Sequence, residues 1–179
     1  AVPDNEIWYR TVDGHMLRDV ESWELSNVKV LSHTYTNGKG VISCDEPILY
    51  IRENSFTVGK GVLLEIYFPN SIKTIGVGCC ANQTHLKFIK LPENLEYIDS
   101  HAFINCYSLS EVTIPSTVKY ILPYAFNNCT NIKGFYGNNN HVTADNKCLI
   151  SPELNSIVAF AGIGLEEYHI PEGIEGILP

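Results

Sequence analysis

Residues 86–115 read LKFIKLPENLEYIDSHAFINCYSLSEVTIP and contain one full period of a repeat that continues on both sides. Pro92 and Pro115 lie 23 residues apart, and Pro69 precedes them by the same step. Such periodicity decides the fold of a chain before its secondary structure is considered. Eight columns share the 23-residue register, which excludes chance. The columns are Leu63, Leu86, Leu109 and Ile132; Ile66, Ile89, Val112 and Phe135; Phe68, Leu91 and Ile114; Ile72, Leu95 and Val118; Ile75, Ile98 and Ile121; Cys79, Ala102 and Ala125; Cys80, Phe103 and Phe126; and Gln83, Cys106 and Cys129.

Each unit predicts one short strand followed by a return through turns. Residues Val112 to Ile114 alternate inward and outward, as a strand does, and Pro115 ends the strand because it has no N–H to donate. The rest of the unit returns through turns and one short helical turn. One unit of this size cannot bury its apolar side alone, so the sequence predicts a solenoid of stacked rungs.

The array extends beyond the clearest copies. Upstream, Ile51 and Phe56 match Ile75 and Cys80 at a step of 24 residues, so the first rung carries one extra residue. Downstream, the strand pattern recurs, but Pro115 to Pro171 exceeds two steps by ten residues, which predicts an insertion. We expect that insertion at about residues 138–162, with a β-hairpin over 148–161. The downstream rung comprises Leu165, Tyr168, Ile170, Pro171, Ile174 and Ile177.

Residues 1–45 do not follow the period. An aromatic run at 7–11 ends at the turn signal Asp13-Gly14, and two more strand-like runs, 28–36 and 41–43, flank Asn37-Gly38. A terminal rung needs its apolar end covered. We therefore expect an N-terminal β-hairpin cap over 1–45 and a solenoid over 46–179.

Composition narrows the classes of partner. The chain has 20 acidic and 12 basic residues, so its net charge of −8 repels phosphate backbones and argues against nucleic acid. No apolar run reaches the ~20 residues of a membrane-spanning helix.

The columns resemble the BspA-like leucine-rich repeat family, found on the surface proteins of gut and oral anaerobic bacteria. The resemblance extends to residues 5–14 and 37–42 and to the hairpin over 145–161. The rung 78–81 departs from it, because Gly-Cys-Cys-Ala replaces the usual Ala-Phe. The repeat residues that carry the resemblance are Ile98, Ala102, Phe103, Cys106, Leu109, Ile114 and Pro115, then Ile121, Ala125, Phe126, Cys129 and Ile132.

The resemblance implies a leucine-rich-repeat solenoid of the α/β horseshoe superfamily, here built mainly of short strands and turns. It also implies an extracellular or cell-surface, non-catalytic protein that binds other macromolecules. Such a protein is either secreted or attached to a membrane through a removed N-terminal lipoprotein signal. The array ends midway through a rung at Pro179, which predicts a missing or unusual C-terminal cap.

The sequence gives little evidence for a nucleotide-binding, metal or disulfide site. Residues 76–81 match G-x-G-x-x-A, but the fingerprint needs a following helix, and the segment is one rung of the repeat. A zinc site of Cys79, Cys80 and His85 lacks paired ligand spacing and a fourth partner. Cys106 and Cys129 share a column, and we expect free thiols because side chains on parallel rungs do not converge as a disulfide needs. The sequence thus predicts no catalytic residue, cofactor or metal.

The remaining candidate is a surface formed by strand positions that lie between the apolar columns. Exposed aromatic rings flanked by charges resemble the composition of binding interfaces. They also suit simple cross-strand stabilisation. We expect a face that binds a protein or glycan; the alternatives are a structural spacer and, more weakly, a carbohydrate-active enzyme with paired carboxylates in a cleft. The predicted binding residues are Glu65, Tyr67, Lys87, Phe88, Lys90, Glu111, Thr113, Lys133 and Tyr136.

Overall fold

The computed structural model describes residues 1–18, 25, 26, 28–57, 59, 61–137, 140, 141 and 145–178. Within those ranges the chain forms fourteen strands and no helix, so the returns between strands are made of turns alone. The strands are β1 (Glu6–Thr11), β2 (Val30–Thr36), β3 (Lys39–Cys44), β4 (Tyr50–Ile51), β5 (Leu63–Tyr67), β6 (Thr74–Ile75), β7 (Phe88–Lys90), β8 (Tyr97–Ile98), β9 (Glu111–Thr113), β10 (Tyr120–Ile121), β11 (Gly134–Tyr136), β12 (Cys148–Ser151), β13 (Ser156–Phe160) and β14 (Gly176–Ile177).

The predicted solenoid with rungs of 23 residues is confirmed. Strand β5 pairs in parallel with β7, and β9 pairs in parallel with β11, always between residues 23 apart. We call β5, β7, β9 and β11 the long ladder, which consists of two hydrogen-bonded pairs, because β7 and β9 lie side by side without strand pairing. Its central residues are buried, and the residues on either side of them face outward, because successive side chains of a strand alternate. The buried centres are Ile66, Ile89, Val112 and Phe135.

A second ladder of two-residue strands runs along another side of the solenoid. Its order is β10-β8-β6-β4, all parallel, and Ile51 pairs with Ile75 as the 24-residue step predicts. We call this sheet the short ladder. The isoleucine of each of its strands is almost fully buried, so the two ladders enclose one continuous apolar core. Hydrophobic burial of these columns is what makes stacked rungs stable.

The turns that return from the short ladder to the long ladder carry a second repeated pattern, which we call the turn side. Asn82, Asn105 and Asn128 all have left-handed backbones, with φ of 63°, 61° and 60°. The amides of the second and third donate to the asparagine one rung earlier, with Nδ2–Oδ1 distances of 2.8 Å from Asn105 to Asn82 and from Asn128 to Asn105. Asparagine suits this position because it tolerates φ > 0 better than other residues with a side chain.

The next column of the turn side donates hydrogen bonds to backbone carbonyls of the preceding rung. The Cys106 thiol donates to the Cys80 carbonyl at 3.3 Å, and the Cys129 thiol donates to the Phe103 carbonyl at 3.1 Å. In the first copy, Gln83 replaces cysteine; its amide donates to the Phe56 carbonyl at 2.7 Å and accepts from the Leu63 N–H at 2.9 Å. None of the six cysteines forms a disulfide in the structure, and all six are buried.

The predicted N-terminal β cap is confirmed, and it continues the long ladder. β2 and β3 form a hairpin through Asn37-Gly38, β3 pairs antiparallel with β1, and β1 pairs antiparallel with β5. The buried ring of Tyr9 occupies the space that a side chain at Gly40 would fill, which explains the glycine. The Asp13-Gly14 sequence is typical of a hairpin turn, but here it does not join two paired strands, because β1 pairs with β3 and β5.

The inserted hairpin is also confirmed, as β12 pairs antiparallel with β13. At the start of the predicted insertion, residues 138, 139 and 142–144 lie outside the described residues. The strand expected at 165–171 does not form. The Phe135 N–H of β11 donates instead to the Asn146 carbonyl at 2.8 Å, so the segment entering the hairpin occupies the edge of the long ladder. The last rung has only β14, which pairs with β13.

Candidate functional site

The outward side chains of β1 and of the long ladder form two adjacent rows. Pairing places Arg10 opposite Glu65 and Glu65 opposite Phe88 in one row, and Trp8 opposite Tyr67 and Tyr67 opposite Lys90 in the other. The 23-residue step continues both rows onto β9 and β11. We call this surface the outer face; it comprises Trp8, Arg10, Glu65, Tyr67, Phe88, Lys90, Glu111, Thr113, Gly134 and Tyr136.

Glu65 is held in place near the centre of the first rungs. Arg10 Nη1 lies 3.2 Å from Glu65 Oε1, and the Tyr67 hydroxyl donates to Glu65 Oε2 at 2.9 Å. Partial burial, and then the hydrogen bond to Glu65, raise the pKa of Tyr67 above its usual range. The hydroxyl therefore stays a neutral donor, and the Glu65 carboxylate has a positive and a neutral partner already.

Tyr67 and Phe88 form an aromatic pair that spans the first two strands of the long ladder. Their ring centroids are 5.3 Å apart and the planes are inclined by 46°. Phe88 is 44% exposed. Of the aromatic residues predicted from sequence, these two are brought together by the structure, next to the predicted Glu65 and Lys90.

The other predicted residues lie further along or beside the outer face. Glu111 and Thr113 are exposed on β9, and Tyr136 on β11 is three strands from Tyr67, about 14 Å at the usual strand spacing. The Tyr136 hydroxyl lies over Gly134, since a Cβ there would be 2.8 Å from it. Lys87 and Lys133 precede their strands and are exposed at one edge of the two rows.

A pocket of about 460 Å³ lies where the cap joins the solenoid, at one end of the outer face. Trp8 and Tyr67 contribute aromatic walls, and Arg10, Lys39 and Lys90 contribute positive charge. The Lys39 ammonium lies 3.1 Å from the centre of the Trp8 ring, a cation–π contact. The indole N–H of Trp8 donates to Glu6 Oε2 at 2.6 Å, outside the pocket lining.

Sequence reasoning missed the contribution of the cap to this pocket. The 23-residue register carries no information on residues 1–45, so it did not place Trp8 beside Tyr67. The Asn37-Gly38 turn indicated only that β2 pairs with β3, whereas the contact of Lys39 with Trp8 depends on the long-range pairing of β3 with β1.

The alternative chemical sites are not assembled in the described ranges. Groups of three or more metal-ligating side chains do not occur there. Cys79 and Cys80 are fully buried, whereas His85 is exposed and its Nδ1 contacts the Gly61 carbonyl at 2.7 Å. Burial raises the pKa of the Cys80 thiol well above its usual range, which leaves it a poor nucleophile and metal ligand. The G-x-G-x-x-A segment lies in turns of a rung.

Comparison with known proteins shows that the repeats match the model of a known repeat family. The family model of the BspA-type leucine-rich repeat region matches residues 49–177 in six copies. A leucine-rich repeat protein from Bacteroides capillosus is similar in structure, at 25% identity and a TM-score of 0.46, over 77% of this chain and 97% of that one. A leucine-rich repeat protein from T. pallidum is similar at 23% identity and a TM-score of 0.39, over 51% and 53% of the two chains.

No curated protein matches the chain. Among the described residues, no helix is long and apolar enough to span a membrane.

Proposed function

The chain belongs to the BspA-type leucine-rich repeat family, and from this premise we propose that it is a non-catalytic recognition protein of the cell surface or secreted space. Its outer face binds a protein or glycan partner through shape and side-chain contact. Leucine-rich repeats of this type suggest a protein-interaction or surface module, and the resemblance to bacterial surface proteins supports an extracellular location. Binding by the outer face requires no bond chemistry.

One observation carries the proposal: the outer face presents a partly exposed aromatic pair beside a charged aromatic pocket on a hydrogen-bonded sheet. The Tyr67–Phe88 pair and the pocket adjoin each other, since Tyr67 belongs to both. Aromatic rings contribute large contact area at a small cost in side-chain entropy. Because the backbone beneath them is hydrogen bonded from rung to rung, little ordering is needed on binding.

The test compares two pairs of aromatic residues on different ladders. Tyr67→Ser with Phe88→Ser removes the pair of the outer face, and Tyr97→Ser with Tyr120→Ser removes a stacked pair of the short ladder, whose centroids are 4.8 Å apart. Each variant and the unmodified chain are immobilised and exposed to purified matrix proteins and to a glycan array. Binding is measured for each ligand that the unmodified chain captures.

We expect the outer-face variant to weaken binding by roughly tenfold or more, as hot-spot aromatics do, and the short-ladder variant to change it by less than about twofold. Retained binding in the outer-face variant, or equal losses in both, would contradict the proposal. A chain that captures nothing from either collection would favour the spacer.

Surface location has its own test. Brief protease treatment of intact cells of the source bacterium should remove the chain while a cytoplasmic marker is spared. Protection of the chain until the cells are lysed would refute the extracellular part of the proposal.

A further inference from the structure

The pocket at the junction of cap and solenoid has a charge opposite to that of the whole molecule. The chain carries a net charge of −8, but the charged side chains that line the pocket are Arg10, Lys39 and Lys90 against Glu65 alone. Arg10 is the ion-pair partner of Glu65, so these two charges largely cancel. Two ammonium groups remain to act on a ligand.

These two ammonium groups are held loosely by the residues that the structure describes. Lys39 lies over the Trp8 ring rather than against a carboxylate. Lys90 has Glu93 at 3.9 Å, and both of these side chains are substantially exposed, so the ion pair is weak. A ligand carboxylate can therefore approach either lysine without displacing a strong ion pair.

The walls of the pocket favour a peptide over a sugar. A pyranose ring binds by lying flat on an open aromatic face, but Lys39 covers one face of Trp8, and Tyr67 is inclined against Phe88. The rings thus form apolar walls beside two positive charges. A short acidic side chain next to an apolar one fits such walls, and about 460 Å³ accommodates two or three side chains.

We propose that this pocket binds an acidic segment of a partner protein, in which an aspartate or glutamate is adjacent to an aromatic or aliphatic residue. The carboxylate contacts Lys39 and Lys90, and the apolar side chain packs between Trp8 and Tyr67. The inference rests on the proposed function and identifies which part of the outer face selects the partner. It also explains why a strongly acidic protein concentrates positive charge there, since opposite charge speeds association and excludes basic partners.

The experiment uses a phage-displayed library of random peptides, panned over the full chain at low salt. Enriched sequences are synthesised, and their affinities are measured for the unmodified chain and for Lys39→Met and Lys90→Met. Methionine keeps the apolar stem and removes the charge. Lys29→Met is the matched control, because Lys29 is exposed at the opposite end of the β2–β3 hairpin.

We expect the enriched peptides to contain Asp or Glu beside an apolar residue. Lys39→Met and Lys90→Met should each weaken them by roughly threefold to tenfold, with no change for Lys29→Met. Raising the salt from about 0.05 M to about 0.5 M should weaken binding to the unmodified chain and have less effect in the two pocket variants. Melting temperatures of all three variants are measured to confirm that they remain folded.

Several results would overturn the inference. These are enrichment of neutral or basic peptides, affinities that do not depend on Lys39 or Lys90, and panning that enriches nothing. Binding of a galacturonate oligomer in place of the peptides would identify an acidic-glycan site instead. If partner capture is lost on changing Tyr67 and Phe88 but survives both lysine changes, the proposed function stands and this inference fails. If capture survives both sets of changes, both fail.

Discussion

The turn side and the outer face of the same solenoid differ in how regularly they repeat. On the turn side, three successive rungs carry asparagine at one position, and two of the three carry cysteine at the next. On the outer face, the equivalent positions carry Glu65, Phe88 and Glu111 in turn. Side chains on the turn side bond to the backbone or to the same side chain of the neighbouring rung, whereas those of the outer face contact different partners on each rung and are partly exposed to solvent. Positions that stacking requires repeat, and positions that it leaves unconstrained differ from rung to rung and can serve recognition.

The largest effect on stability is expected at Gln83, the buried amide that bridges two rungs. Gln83→Leu leaves the Leu63 N–H and the Phe56 carbonyl without partners in the core, which costs about 3 kcal/mol of unfolding free energy. Lys87→Leu is the matched control at the edge of the outer face, where substitution of an exposed residue changes stability by less than about 0.5 kcal/mol. Urea denaturation measures both. Similar losses for the two variants would remove the distinction between the two sides.

A smaller effect is expected in the asparagine ladder of the turn side. Asn105→Ala removes one donated and one accepted hydrogen bond and places alanine at φ 61°, so we expect a loss of about 2 kcal/mol. Asn105→Gly should recover roughly half of it, because glycine adopts positive φ freely. Thermal and urea unfolding of both variants provide the measurement. Equal losses in the two would show that backbone conformation is not what selects asparagine.

The smallest expected loss of stability is the one that a rise in pH causes at the buried thiols of the turn side. Burial raises the pKa of Cys80, and the neighbouring thiol of Cys129 together with burial raises the pKa of Cys106. Because each folded-state pKa lies above the unfolded value of about 8.5, the stabilisation is complete below that pH and is lost as the pH rises above it. At pH 9 the expected loss is under about 1 kcal/mol for each thiol.

Cys44 of the cap defines the pH range for the same measurement, because burial raises its pKa to about 11. Unfolding free energy should be level from pH 7 to about 8.5 and then fall steadily toward pH 11. Cys44→Ala should reduce the slope in that interval. A stability that stays constant up to pH 10 would show that the thiols are not buried as the structure has them.

The sequence was sufficient for the parts of the fold in which apolar residues repeat. Columns such as Ile66, Ile89 and Val112 predicted the long ladder directly, because burial in a stacked array demands an apolar residue on every rung. The asparagine ladder has the same 23-residue spacing but was not predicted, because hydrophobic periodicity carries no information on columns of polar residues. The strand predicted at 165–171 failed because a segment closer in sequence, at Asn146, bonds the edge that it needed.

Only the part of the candidate site that lies on the repeats could be predicted from the sequence. Alternation along β5 and β7 was enough to place Glu65, Tyr67, Phe88 and Lys90 on one surface. The pairing of β1 with β5 depends on tertiary structure and not on the repeat, so the pocket between Trp8 and Tyr67 could not be foreseen. The free thiols and the predicted absence of a metal or cofactor remain predictions for chemical assay.

The most direct test of the account measures stability and partner affinity on the same preparations of two variants. Asn105→Ala represents the turn side, and Tyr67→Ser with Phe88→Ser represents the outer face. We predict that Asn105→Ala lowers unfolding free energy by about 2 kcal/mol and leaves affinity unchanged at temperatures where it is folded. The outer-face variant should lose roughly tenfold or more in affinity and at most about 1 kcal/mol in stability. An outer-face variant that keeps its affinity, or that loses as much stability as Asn105→Ala, would contradict the division of the solenoid into a structural side and a recognition side.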